Sequence, residues 1–213
     1  MTDSKSDQGI RARLLELARL IDGWPGLSAV PAGELIDDSL VLVEHVGDAC
    51  RLADVGSGGG LPGLPLKIAL PQISLVLVEA DQAKAAFLVQ ACATLGLGDV
   101  EVVARRAEEV GRDPRHRESF DLVVARALAP MRVLAELCLP LVRVGGRLLA
   151  QKTESEDLAT AQRAIELLGG ARARVVPAPS AARRTGTVVI VDKVRATPAG
   201  YPRRPGVPSR RPL

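Results

Sequence analysis

The sequence predicts an α/β protein: a mostly parallel, seven-stranded sheet with helices on both faces and a small helical cap at the N-terminus. Three features carry that expectation. From Cys50 onward, short apolar runs alternate with helical segments, the order that builds a parallel sheet through right-handed crossovers. Leu75 to Val78 is unbroken apolar sequence ending at Glu79, as a strand buried on both faces requires. A glycine cluster lies between the first strand and the helix after it, where a ligand can approach the main chain closely.

The elements follow in order. Ile10, Leu14, Leu17, Ala18 and Ile21 recur at helical spacing, and Gly23 stops that helix. Ala32 to Val46 reads as a second helix with Leu35, Ser39, Leu42 and Val46 on one side. The strands are Arg51 to Val55, Leu75 to Glu79, Val100 to Ala104, Phe120 to Ala125, Gly146 to Gln151, Ala173 to Pro177 and Thr187 to Val194, the last two as an antiparallel pair. Helices are expected over Pro62 to Ala69, Gln82 to Leu95, Ala107 to Val110, Pro130 to Leu141 and Glu154 to Leu168. Ala196 to Leu213 holds five prolines and no apolar periodicity, so an extended tail is expected. This divides the chain into a cap (1–49), a body (50–195) and a basic, Pro-rich tail (196–213).

Composition narrows the function. At 213 residues and 47% apolar, the chain can bury a sizeable core without disulfides or structural metal. Aromatic residues are 2%, so the core is aliphatic and modules that stack bases on several rings are disfavoured. Cys50, Cys92 and Cys138 are far apart and read as reduced, mostly buried thiols. Two histidines, His45 and His116, argue against a metal site and look peripheral. The polar start lacks the order of a signal peptide and no apolar run is long enough to span a bilayer, so a cytoplasmic protein is expected. Ala171 to Leu213 carries ten Arg or Lys against Asp192 alone, a local charge of +9 within a net +3. That fits either a polyanion footprint or a solvated tail.

Asp54-Val55-Gly56-Ser57-Gly58-Gly59-Gly60-Leu61-Pro62-Gly63 is the most informative segment. A dinucleotide-type GxGxxG fits only in the register of Gly58, Gly60 and Gly63, with Pro62 inside it. The alternative, acid-x-Gly-x-Gly-x-Gly, is met by Asp54, Gly56, Gly58 and Gly60. It resembles motif I of the Rossmann-like methyltransferases, which bind S-adenosylmethionine (SAM). There Asp54 would steer the cationic amine or order water near it. Glu79 closes the second strand and suits the ribose hydroxyls, a device NAD enzymes share.

The longer segment resembles the RsmG (GidB) family, the small-subunit ribosomal RNA methyltransferase G, from about Leu52 to the C-terminus. The resemblance rests on residues 54–66 with Pro62 and Pro65, on Lys84 to Leu88, Arg106-Ala107-Glu108-Glu109, Arg126-Ala127, Gly145-Gly146-Arg147, Lys152, and the ending Thr197 to Gly206. It implies SAM-dependent methylation of guanine N7 in the 530-loop region of 16S rRNA, on free RNA or a small-subunit precursor; a monomer is expected. It also implies that Gly56 and Leu61 contact SAM, that Ala107 and Glu108 frame the adenine, and that Arg126 lies at the cofactor–substrate junction. Arg106, Lys152, Arg203 and Arg204 would hold RNA, with Lys152 and Arg126 nearest the chemistry. The chain departs from the family at Gly26-Leu27-Ser28-Ala29, Glu34 to Ser39 and Gln151-Lys152-Thr153, and Arg183-Arg184 stand nearest an arginine usual before the last strand.

Guanine N7 offers a lone pair and no proton, so its methylation needs positioning rather than a general base. Arg126 would then serve O6, a phosphate or the SAM carboxylate, since a donor on N7 would block the nucleophile. Other expectations compatible with the residues are a methyltransferase of small molecules or proteins, a nucleotide-binding oxidoreductase, and a non-catalytic binding module.

Overall fold

The computed structural model describes residues 3–27, 29–153 and 158–213. Ser28, and residues 154–157 of the helix expected over Glu154 to Leu168, lie outside them. Strands β1 (Arg51–Val55), β2 (Ser74–Val78), β3 (Val100–Val103), β4 (Phe120–Arg126) and β5 (Val142–Thr153) run parallel in the spatial order β3-β2-β1-β4-β5. β6 (Arg174–Pro177) and β7 (Gly186–Asp192) complete a seven-stranded sheet, with β7 antiparallel to both β5 and β6. Strand order reverses direction between β1 and β4, which opens a crevice at their carboxyl ends.

Alternate residues of the central strands feed two cores. Ala53, Val55, Val123 and Ala125 pack with α7 (Met131–Cys138) and α8 (Leu158–Leu167). Leu52, Leu122 and Val124 pack on the other face with α1 (Asp3–Asp22), α2 (Ala32–Leu40), α4 (Gly63–Ala69) and α5 (Gln82–Thr94). Trp24, just after α1, meets Phe87 of α5 edge-on at 5.2 Å, so the N-terminal cap joins the second core rather than standing apart.

Four features differ from the sequence-based expectation. The second helix splits into α2 and α3 (Val43–Val46). Ser39 Oγ donates to the Leu35 carbonyl at 2.7 Å, and the Leu42 amide donates to the Ser39 carbonyl at 3.2 Å in an i,i+3 bond, so the hydroxyl competes with the helical ladder. β5 is longer than expected, which puts Lys152 inside the strand end rather than past it. Cys50 is exposed while His116 is buried and stacked on Phe120.

The fourth difference is the tail. Residues 196–213 are not a free extended arm; they fold back on the body and include the short helix α9 (Val207–Arg210). Arg117 donates to the carbonyls of Thr197 at 2.8 Å and Tyr201 at 2.7 Å, and Arg112 to that of Pro202 at 2.6 Å. Proline-rich backbone leaves carbonyls without ladder partners, and guanidinium groups of the body satisfy them. Arg203 pairs with the fully buried Glu136 of α7 at 2.6 Å, a charge-assisted contact that raises the Arg203 pKa above the ordinary value.

Candidate active site

The loop after β1 turns over the sheet's carboxyl edge. Gly56, Gly58 and Gly60 all hold positive φ, and at Gly58 (+54°) a Cβ would meet no atom nearer than 4.0 Å. That open direction is where a ligand can lie against main chain. Gly60 instead faces inward toward Leu64 and Leu88. The Gly58 amide donates to Glu79 Oε2 at 2.8 Å and the Asp81 amide to Glu79 Oε1 at 2.8 Å. Each carboxylate oxygen keeps a lone pair for a further donor. The side chain is thereby fixed just past the tip of β2, beside the loop.

Asp54 lies beneath the loop rather than in it. It is fully buried, and its Oδ2 accepts the Gly63 amide at 2.8 Å at the start of α4, while Oδ1 has no hydrogen-bond partner. Burial pushes its carboxyl up to about 7, against the Gly63 amide and the Arg126 charge and with help from Glu79.

Two cavities meet here. One of about 410 Å³ is lined by Gly56, Gly58, Glu79, Arg106, Ala107 and Glu108, with apolar walls from Val55, Val78, Leu128 and Leu137. These groups suit a nucleoside bearing a charged tail: a strand-tip carboxylate for the ribose, apolar flanks for a purine, and a side-chain-free approach at Gly58. Leu61 lines a smaller adjoining space with Gly56 and Arg126. The second large cavity, of about 510 Å³, is lined by Arg126, Gln151, Lys152, Arg183 and Asp38. Ala127, Leu128 and Ala129 line both large cavities. Ala127 has φ +51°, a left-handed non-glycine residue at the point where the two spaces join, and such strain concentrates at functional sites.

Asp38 organises the second cavity. It is fully buried and takes Arg183 Nε at 2.8 Å, Ser180 Oγ at 2.6 Å and Arg126 Nη1 at 3.4 Å. The Gln151 side-chain amide donates to the Asp38 carbonyl at 2.6 Å, and Lys152 Nζ to the Ala129 carbonyl. Arg126 therefore pairs with neither Asp121, which holds Arg143, nor Glu136, which holds Arg203.

Of the residues singled out in the sequence, Gly56, Gly58, Leu61, Glu79, Arg106, Ala107, Glu108, Arg126 and Lys152 line these connected spaces. Asp54 and Gly60 brace the loop without lining them. Arg203 and Arg204 line none of the three; Arg204 is exposed. Asp38, Gln151 and the tail residues Gly206 and Ser209 were not anticipated. Asp38 had a signal: it stands at i+3 from Leu35 and i−4 from Leu42, an acid on an apolar helix face.

The fold is that of the Rossmann-like methyltransferases. The solved structure of the O-methyltransferase TomG from Streptomyces achromogenes, in complex with SAM, matches with a TM-score of 0.58 at 19% identity, over 85% of this chain and 89% of that one. At the level of family, the profile described as rRNA small subunit methyltransferase G matches residues 32–185. The Ribosomal RNA small subunit methyltransferase G of Roseiflexus sp. (strain RS-1) is 50% identical over 83% of this chain and 76% of its own length. That of Rubrobacter xylanophilus is 41% identical over 94% of this chain and 82% of its own length. The chain belongs to this family.

Proposed function

We propose that the protein is a cytoplasmic, monomeric enzyme that uses SAM to methylate N7 of a guanine in the 530-loop region of 16S rRNA, within the small subunit or a precursor. The observation that carries this reading is the junction at residues 126–129, where a cavity of about 410 Å³ lined by Gly58, Glu79 and Glu108 adjoins a cleft lined by Arg126 and Arg183.

Bound SAM supplies a methyl group made electrophilic by its sulfonium. Glu79 would accept from the ribose hydroxyls, Ala107 and Glu108 would frame the adenine, and the open side of Gly58 would admit the ligand's backbone-hugging part. Asp54 acts through the loop, holding the start of α4 by the Gly63 amide. Arg126, oriented by Asp38, presents charge for O6 or a phosphate and leaves N7 free. Lys152 is tied to the Ala129 carbonyl and stiffens the junction. The described lining of the cleft contains no histidine, and its one carboxylate, Asp38, is already engaged. A nucleophile with no proton to lose needs no more, since in-line positioning supplies the acceleration. Arg106 and Arg204 are exposed and fit phosphate contacts.

The test incubates the protein and methyl-labelled SAM with small subunits from a strain lacking this methyltransferase, followed by nucleoside analysis of the 16S rRNA. Label in 7-methylguanosine at the 530 loop is expected. Label confined to another nucleoside, or absent from rRNA, would overturn the reading.

A further inference from the structure

The cavity that holds Glu79 and Glu108 is not closed by the body alone. Gly206 and Ser209, from the C-terminal segment, line it as well. The Gly206 amide donates to Glu108 Oε1 at 2.8 Å. Glu108 is almost fully buried, so this contact is a charge-assisted bond shielded from water. Gly206 sits at φ +75°, in the left-handed region, and there the chain turns into α9. Glu108, a carboxylate of the cavity lining, is thus also the hook for the tail.

A second anchor stands one turn away. Arg203 bonds Glu136 through its main-chain amide at 2.8 Å and through its guanidinium at 2.9 Å and 2.6 Å. Glu136 is fully buried in α7, beside Leu137, which itself lines the cavity. Pro202 packs so closely on Gly111, at the end of α6 (Ala107–Val110), that a Cβ there would fall 3.0 Å from the proline ring. Pro202 and Pro208 are buried. A tail kept only for its charge would need none of these contacts.

We propose that residues 200–213 form a fixed wall of the cofactor cavity, hung from Glu108 by the Gly206 amide and latched to α7 by Arg203–Glu136. This rests on the reading of that cavity as the SAM site. Gly206 and Ser209 are then cofactor-site residues, and Arg203 is a positioning residue whose partner is a carboxylate of the body.

The test measures binding of S-adenosylhomocysteine, without RNA, by calorimetry. It compares the full chain with a chain ending at Pro205, which keeps the Arg203–Glu136 latch and loses Gly206 and Ser209. The truncated chain is expected to bind about tenfold more weakly, because the cavity loses one wall and Glu108 loses the amide that fixes it. Amide exchange on the full chain should show new protection at residues 206–211 when the ligand is added, which decides the matter even if the truncated chain does not fold. Binding by both chains with equal affinity, or protection at 56–60 with none at 206–211, would overturn the wall and leave the cofactor reading standing. No binding by the full chain would overturn both.

Discussion

Asp54→Asn separates the electrical cost of the loop's support from its geometry. Asp54 is fully buried, and its carboxyl stands at about 7 rather than the ordinary 3.8, burial being the largest cause. The folded protein therefore holds this proton more tightly than the unfolded chain does. Stability from the group is complete below the unfolded pKa and is lost as pH rises through about 7. The shift corresponds to about 4 kcal/mol over the whole range, and to about 3 kcal/mol between about pH 4.5 and about pH 8. Asparagine keeps an acceptor for the Gly63 amide, which Asp54 holds at 2.8 Å. Its NH₂ takes the place of Oδ1, which has no partner in the native protein, at a cost of about 1–3 kcal/mol. The protonated aspartic acid of the parent meets a similar cost, so the two proteins should match in acid. Urea unfolding at a series of pH values, with the parent subtracted from the variant, isolates this one group. The variant should gain on the parent by about 3 kcal/mol as pH rises across that interval. A difference that stays constant with pH would show that Asp54 titrates normally and that its burial does not govern the loop.

Two further substitutions probe the two cavities separately. Gly58→Val should lower affinity for S-adenosylhomocysteine by about a hundredfold or more, measured by calorimetry, while left-handed backbone strain costs about 1–2 kcal/mol of stability; unchanged affinity would remove the loop from the site. Asp38→Asn leaves the guanidinium groups of Arg183 and Arg126 without their buried carboxylate and should cost about 3–5 kcal/mol of stability. At a temperature where it is folded, it should lose rRNA methylation more than S-adenosylhomocysteine binding; equal losses would refute the division of labour between the cavities.

The sheet was legible because its strands are short, apolar and separated by clear stops. Arg51–Val55 and Ala107–Val110 match their expected ranges, the first helix begins seven residues earlier than expected, and the other common elements shift by up to four residues at their ends. The glycine loop was legible because three left-handed positions at alternate residues demand glycine, and the acid one residue past the second strand could be counted from them. The break between α2 and α3 was not, because Ser39 fits a helical face as well as it fits a competing hydroxyl bond, and only the 2.7 Å contact to the Leu35 carbonyl distinguishes them. Asp38 and Arg183 illustrate the deeper limit. They lie 145 positions apart and meet across the open end of the sheet; neither position alone announces the other.

The tail shows why a charge count misjudges a segment. Summing arginines treats each as free, yet Arg203 finds Glu136, 67 positions earlier, and Arg210 Nε turns back on the Gly206 carbonyl at 3.1 Å. The partner of Arg203 is fully buried, so that pair is desolvated on one side and resists exchange with an RNA phosphate, which would have to leave Glu136 as an unpaired charge in the core. What salt-sensitive RNA contact the segment makes must then come from the exposed guanidinium groups, those of Arg204, Arg210 and Arg211. Those groups are not on a free chain searching solvent. They are carried by a segment whose Gly206 and Ser209 line the cavity of Glu79 and Glu108, so a polyanion that reaches them meets a surface already held in place by the same contacts that shape that cavity.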